Sequence, residues 1–458
     1  MDETSFGVYG TYFRLMRYMG VFPFRIEYPG TKLGVHKSGI WKWFYYINFI
    51  AIIFGCSFQA CQLALAMSYS KKPLDVVMQL CWMFVLCVPL SNMMGFIKQE
   101  EKIIMSLNLW ANLERSVIGS SLRNLPNIQT NGPLPSMSAC HAAQNRLFRK
   151  QMFLYTVLGI AAVVAISMHI LQVPRFPGYL YSVTMGEDET VMYAACAYHM
   201  WLAFIIFSHI FCLEVIMIMT SESLCHCLET VSFRGAVVMA NNQCDLPHLN
   251  EVLIKNWAAF DSKTKDGVAN GGTDTGVISK AASAVSKKKS YDDESYYLAH
   301  VVQNVVDIQY ALDRYKDIEA ATDGLNNAFG PMIFHHQSVY MALMCTLFYT
   351  PIRHLKIIPL DGCLLLAVVA AYYLIRLFQF YPSMGKLNNQ SFLFVDSWME
   401  GLRHIPKGKY AYEFYMHKLE SCRKLSIDCG GFYIMQKGTV LTFISIVTTH
   451  VIVILQLY

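Results

Sequence analysis

The stretch GTVLTFISIVTTHVIVILQLY, residues 438–458, is long and apolar enough to cross a lipid bilayer as one helix, yet it carries several polar side chains. As an α-helix it would rise about 31 Å, close to the thickness of a hydrocarbon core. Gly438, Thr442, Ser445, Thr449 and Gln456 share one side of that helix, and most other positions are Val, Ile, Leu or Phe. The stretch therefore predicts a membrane helix with one side suited to water or to tight packing.

The rest of the chain extends this interpretation. Its composition is 54% hydrophobic and only 15% charged, against roughly 25% charged in soluble domains. Further apolar windows bring the number of predicted spans to seven, each near the length that a bilayer requires. They cover residues 43–67, 74–97, 152–173, 191–220, 331–352, 361–382 and 438–458. We therefore predict an all-α membrane protein with seven transmembrane helices.

The positions of the basic residues predict the orientation. Of the 37 Lys and Arg residues, 31 lie before the first span or in the loops that share its side of the membrane. Positively charged loops stay in the cytoplasm, so we expect a cytoplasmic N-terminus and an extracellular C-terminus. This orientation is opposite to that of a G-protein-coupled receptor and disfavours that class. A G-protein-coupled receptor and a membrane carrier remain the alternatives to the channel hypothesis that the last helix suggests below.

The predicted organisation follows from the spans. A cytoplasmic N-terminal segment covers 1–42, transmembrane helices 1–4 cover 43–220, and helices 5–6 cover 331–382. The loop 221–330 combines a flexible Gly-, Ser- and Lys-rich insertion at about 240–292 with a helical extension at about 294–330, which should run into the fifth span. Residues 383–437 form a further cytoplasmic region. These extensions predict a packed helical layer inside the cell.

The polar side of the last helix has two explanations. Small and hydroxylated residues are typical of close helix packing, but they also suit the wall of a pore. Gln456 favours the pore, because an amide is costly against lipid and useful around a shared axis. The predicted pore and gate residues are Gln456, Leu457, Val453, Thr449, Ser445 and Thr442. One helix cannot enclose a conduit, so this hypothesis requires an oligomer.

The same helix resembles a signature of the insect gustatory and odorant receptor superfamily, in which Thr-Tyr, five apolar residues and Gln-Phe follow one another. Here the spacing reads Thr449-His450, residues 451–455 and Gln456-Leu457. The stretch CGGFYIMQKGTVL, residues 429–441, is similar to the turn that precedes the family's last helix. The closing Gln-Leu and the long loop resemble the odorant co-receptor branch, whereas CGGF and RLMRYMGVFPF resemble the carbon-dioxide-type gustatory branch.

The resemblance implies a ligand-gated, nonselective cation channel in the plasma membrane of sensory neuron dendrites. It implies a homotetramer or heterotetramer around a central pore that is lined by helix 7. Partners would be a small-molecule tastant or odorant, permeant cations, membrane lipid and related subunits, with no nucleic acid. It also implies that the cytoplasmic extensions form a central helical anchor layer, and that each subunit has a ligand pocket in the outer half of its bundle.

With the orientation fixed, the aromatic and imidazole side chains of the outer halves become ligand-binding candidates. Such walls suit a small, mainly apolar ligand that needs one or two hydrogen bonds, although aromatic residues also anchor helices at membrane surfaces. The candidates are Trp82, His169, Tyr193, Tyr198, His199, Trp201, Phe348, Tyr349, Tyr372 and Tyr373.

Two charges fall inside predicted spans, Glu214 and Arg376. An unpaired charge there is expensive, so we expect mutual pairing or hydration from the cytoplasm, with a gating or structural role. His335-His336 is predicted to lie at the membrane interface. No catalytic motif is present, and Cys225-His226-Cys227 lacks a second pair at zinc-binding spacing. We expect no enzyme activity, metal or cofactor.

Overall fold

The computed structural model describes residues 5–27, 34–37, 39–69, 73–123, 189–241, 293–354, 360–402 and 410–457, with single positions between 153 and 171. Nine helices lie within these ranges: α1 (Ser5–Tyr18), α2 (Ile40–Tyr69), α3 (Pro73–Lys98), α4 (Glu100–Arg123), α5 (Glu189–Asn241), α6 (Asp293–His354), α7 (Leu360–Leu402), α8 (Tyr410–Glu420) and α9 (Thr439–Leu457). The prediction of an all-α protein is confirmed in the main. Its one exception in the described ranges is an antiparallel pair of short strands, β1 (Phe24–Glu27) and β2 (Gly34–Lys37).

Helix α5 forms the centre of the bundle. Its residues from Ile205 to Leu228 are almost all buried, and α7, α6, α3 and α4 pack around it. A helix that is apolar on every side is stable only when every side is covered. In the second half of α5, Glu222 Oε2 lies 2.6 Å from Lys386 Nζ and ties α5 to α7. Burial lowers the pKa of Lys386, but the neighbouring Glu222, Cys225 and Glu229 together outweigh this effect and leave that pKa above its usual value.

Helix α6 is one continuous helix of 62 residues that covers both the predicted helical extension and the predicted fifth span. The first of these parts buries Tyr315, Ile318 and Leu325 at helical spacing. It packs against α4, which the sequence interpretation did not predict, and against α8. The Tyr315 hydroxyl donates to the Arg423 carbonyl at 2.7 Å, which joins this part of α6 to the segment that leads towards α9.

Four helices in the described ranges are long and apolar enough to cross a membrane: Trp41–Tyr69, Val76–Lys98, Glu189–Ser232 and Thr439–Gln456. They coincide with the first, second, fourth and last predicted spans. Most of the third predicted span, and residues 242–292 of the insertion predicted at about 240–292, lie outside the described residues. The count of seven spans and their direction stay predictions.

Candidate functional site

The start of α9 is fixed by two close backbone approaches. After α8, residues Asp428 and Ile434 form an isolated bridge around a turn in which Gly430 and Gly431 have φ values of 61° and 83°. Glycine adopts this left-handed conformation without a steric penalty. A Cβ on Gly385 of α7 would lie 2.5 Å from the Lys437 backbone nitrogen, so only glycine lets the chain pass there. The backbone nitrogen of Gln436 then donates to Thr439 Oγ1 at 2.9 Å, just where the helix begins.

Helix α9 has one buried face, which rests mainly on α6 and touches α7. Its buried residues, Val440, Phe443, Val447 and Val451, recur at helical spacing, and all are apolar. The opposite face is exposed, and it carries Thr442, Ser445, Thr449 and Gln456. The polar side of α9 therefore points away from the bundle of its own chain.

Two polar side chains of α9 bond to their own helix. Thr449 Oγ1 donates to the Ser445 carbonyl at 2.9 Å, and His450 Nδ1 lies 2.8 Å from the Ile446 carbonyl. Val453, a predicted gate residue, is 46% exposed. The Leu457 side chain lies outside the described residues. The exposed strip thus combines a hydroxyl group that bonds to its own helix, that of Thr449, with the Gln456 amide, which makes no hydrogen bond to the described residues. Such a surface tolerates both water and a neighbouring helix.

The predicted ligand-binding residues separate by burial. Tyr372, Tyr373 and His199 are buried, Trp82, Tyr198, Phe348 and Tyr349 are half-buried, and Tyr193 and Trp201 are exposed. His169 lies outside the described residues. Burial thus places three of the nine described candidates inside the bundle, and their role in ligand binding stays a prediction.

Two groups of these candidates make contacts with other helices. Tyr198 donates to the Ala51 carbonyl at 3.0 Å, and its ring packs against Phe54 of α2 and against His199. Tyr372 and Tyr373 of α7 have ring centroids 5.4 Å apart, and Tyr372 also packs against Phe207 of α5. The Tyr373 hydroxyl is buried and has no hydrogen-bond partner among the described residues, which makes it a candidate donor or acceptor for a ligand.

A buried polar network joins four helices beneath Tyr372 and Tyr373. The Glu214 carboxylate of α5 contacts the Arg376 guanidinium of α7. It also accepts from the Tyr340 hydroxyl at 3.0 Å, and its Oε1 lies 3.2 Å from His336 Nε2, both on α6. Asn92 of α3 completes the set, with its Nδ2 at 3.4 Å from His336 Nδ1. The two charges that the sequence places inside the membrane are thus paired and embedded among polar side chains.

This network includes a residue for which the sequence interpretation predicted no partner. His336 is 1% exposed and its Nε2 lies 3.2 Å from Glu214 Oε1, whereas its neighbour His335 is exposed. The position of both residues at the membrane interface stays a prediction. The signal was present in the sequence, because His336 and Tyr340 are four residues apart and share one side of a helix. Their distant partners, Asn92 and Glu214, were visible only in the folded chain.

No family model and no curated protein matches this chain. Among solved structures, it is similar to the insect olfactory receptor OR5 from Machilis hrabei, with a TM-score of 0.65, 10% identity and 98% of each chain covered. The same receptor in complex with eugenol gives a TM-score of 0.60, 12% identity, and coverage of 98% of this chain and 97% of the other. The chain has the fold of an insect olfactory receptor. The resemblance found in the sequence is thereby confirmed at the level of fold.

Proposed function

We propose that the chain is a subunit of a ligand-gated, nonselective cation channel of the insect gustatory and odorant receptor superfamily. The observation that carries the proposal is the exposed polar face of α9, opposite its buried apolar face. A face of hydroxyl groups and one amide is poorly suited to lipid, whereas around a symmetry axis it lines a hydrated path. The similarity in fold, which extends over nearly the whole chain, supports the same assignment.

Such a path requires several copies of the chain, and we propose four around one axis, either identical or mixed with related subunits. A ring of Gln456 and Leu457 at the extracellular end forms the gate, with Val453 one turn below. Seven spans with a cytoplasmic N-terminus and an extracellular C-terminus place that gate outside the cell. The cytoplasmic part of α6, together with α4 and α8, forms the anchor layer.

The ligand is proposed to be a small, largely apolar tastant or odorant that binds in the outer half of the bundle. Tyr372, Tyr373 and His199 are the buried candidates for its wall, and the Tyr373 hydroxyl supplies an unused polar atom. A receptor of the same fold has been solved with eugenol, which is a molecule of this kind.

Whole-cell recording from cells that express only this chain tests the channel. We expect Leu457→Ala to raise the current without ligand, because a shorter side chain seals a constriction less well. Gln456→Ala should alter conductance or ion preference. Normal surface expression with unchanged currents in both variants would refute the gate. An epitope tag after Tyr458 that is stained only in permeabilised cells would refute the orientation and favour a G-protein-coupled receptor, and saturable flux without single-channel steps would favour a carrier.

A further inference from the structure

Between residues 336 and 340, about one and a half turns, helix α6 makes polar contacts with two separate groups of side chains. On one side, His336 and Tyr340 hold the Glu214 carboxylate, which is paired with Arg376. On the other side, Gln337 Oε1 accepts a hydrogen bond from the Tyr381 hydroxyl of α7 at 3.0 Å. Gln337 and Tyr381 are 3% and 0% exposed, so this bond is shielded from water.

Tyr381 is also the point at which α7 meets the start of α9. Its hydroxyl lies 3.5 Å from the Tyr433 hydroxyl in the segment just before α9, and its ring centroid lies 6.3 Å from that of Phe443, on the buried face of α9. One side chain therefore contacts α6, the segment that leads into α9, and α9 itself.

We infer that the Gln337–Tyr381 hydrogen bond is the coupling contact through which the position of α6 and α7 sets the position of the pore helix α9. Tyr381 is in this role a positioning residue. The inference rests on the proposed channel function. It adds the identity of the buried contact that connects the helices around the Glu214 network to the pore.

The geometry explains why this contact transmits motion better than the packing around it. Apolar side chains lose their packing contacts gradually, in many small steps, when helices shift. A buried hydrogen bond is lost when its atoms separate by about 1 Å, and the two polar groups are then left unsatisfied. A shift of α6 relative to α7 therefore has two outcomes. Either Tyr381 moves with Gln337 and carries Phe443 and Tyr433 along, or the bond breaks.

The test measures currents without any ligand, in a Leu457→Ala background where the basal current is raised and changes in both directions are visible. Tyr381→Phe removes the donor hydroxyl together with its longer contact to Tyr433, and Gln337→Met removes the acceptor at nearly constant volume. Because one buried hydrogen bond is worth about fivefold in an equilibrium constant, each variant should change the basal current roughly fivefold, and in the same direction. The double variant should change it no further, since both substitutions break the same bond.

Tyr45→Phe is the matched control. Its hydroxyl also makes a buried hydrogen bond, to the Met93 carbonyl at 3.1 Å, but between α2 and α3 and away from α9. It should leave the basal current unchanged. Surface labelling of every variant separates gating from folding.

Several outcomes overturn the inference alone: unchanged currents in Tyr381→Phe, additive effects in the double variant, or an equal change in Tyr45→Phe. If both Tyr381→Phe and Gln337→Met are missing from the cell surface while Tyr45→Phe reaches it normally, the bond serves folding and not gating. That result would also overturn the inference. If the Leu457→Ala background itself carries no current at normal surface expression, the proposed channel fails, and the inference fails with it.

Discussion

Helices α5 and α9 are both apolar enough to cross a membrane, but they use their apolar residues in opposite ways. In the most apolar window of α5, 89% of the residues are buried within the chain, whereas in α9 the share is 22%. The polar groups differ accordingly, because α5 turns Glu214 inward to three partners, Arg376, Tyr340 and His336, while α9 turns Ser445 and Gln456 outward. Apolar composition thus identifies a membrane helix, but the side on which the polar residues lie indicates what the helix contacts.

The largest effect should come from separating the charges held by α5. Arg376→Met leaves the Glu214 carboxylate buried without its cation, which costs about 3–5 kcal/mol in the free energy of unfolding. Thermal unfolding of the purified protein in detergent measures the loss. As a control, the double variant Glu214→Gln with Arg376→Met removes both charges and should regain most of the stability. A single variant as stable as the wild type would show that water reaches this pair.

The second effect concerns how α9 is attached. Gly385→Ala would place a Cβ 2.5 Å from the Lys437 backbone nitrogen, and the resulting overpacking should cost about 1–3 kcal/mol. Gly324→Ala on α6 is the matched helical glycine, since its Cβ would meet Ser106 Oγ at an ordinary 3.4 Å. That control should be neutral or slightly stabilising, because alanine favours helix. Equal unfolding temperatures for the two variants would contradict the close approach.

A third experiment compares the two faces of α9 directly. Ser445→Cys places a thiol on the exposed face, and Val447→Cys places one on the buried face two residues later. If the exposed face lines a hydrated path, a charged thiol reagent applied in water should modify residue 445 about tenfold faster or more, since thiol reactivity requires access and ionisation. Cysteine reaction rates on whole cells provide the measurement. Similar slow rates at both positions would mean that the exposed face is covered by lipid or by a dry helix contact.

The smallest effect should come from an exposed arginine in the segment that precedes α9. Arg423 contacts Asp323, and its Nε lies 3.2 Å from Glu319 Oε1, but its side chain is 56% exposed. Arg423→Gln should cost less than about 1 kcal/mol, because water replaces the lost attraction. Measured beside Arg376→Met by the same unfolding assay, it tests whether burial, rather than the presence of an ion pair, decides the cost. A loss as large as that of Arg376→Met would contradict this explanation.

Particular residues show how far the sequence could be interpreted. The periodicity of α9 placed its polar residues on one side, and the structure puts that side opposite the buried valines. The cost of a charge in a membrane predicted a partner for Glu214 and for Arg376, which are 162 residues apart in the chain yet in contact. Both predictions rest on rules that depend only on residue type and local spacing.

Other features escaped the same reasoning. The sequence interpretation missed the β1–β2 pair, because short strands carry weak patterns. It also missed helix α4, although the buried residues Ile103, Leu107, Trp110 and Val117 recur at helical spacing. The ten ligand-binding candidates were chosen for residue type and depth, and the structure distributes the nine that it describes between buried, half-buried and exposed positions. Which of them face a common space depends on how the helices rotate against one another, and residue type does not determine that rotation.

Residue chemistry by itself determined that this chain is helical, that it belongs in a membrane, and that its last span has a polar side, because the cost of placing polar groups in lipid depends on each residue and its immediate neighbours. Only the tertiary structure decided which side of α9 is covered, that His336 lies buried against Glu214, and that Tyr381 connects α6 to the start of α9. These contacts join residues that are distant in the chain, and their energies arise only when the packed helices bring the partners together.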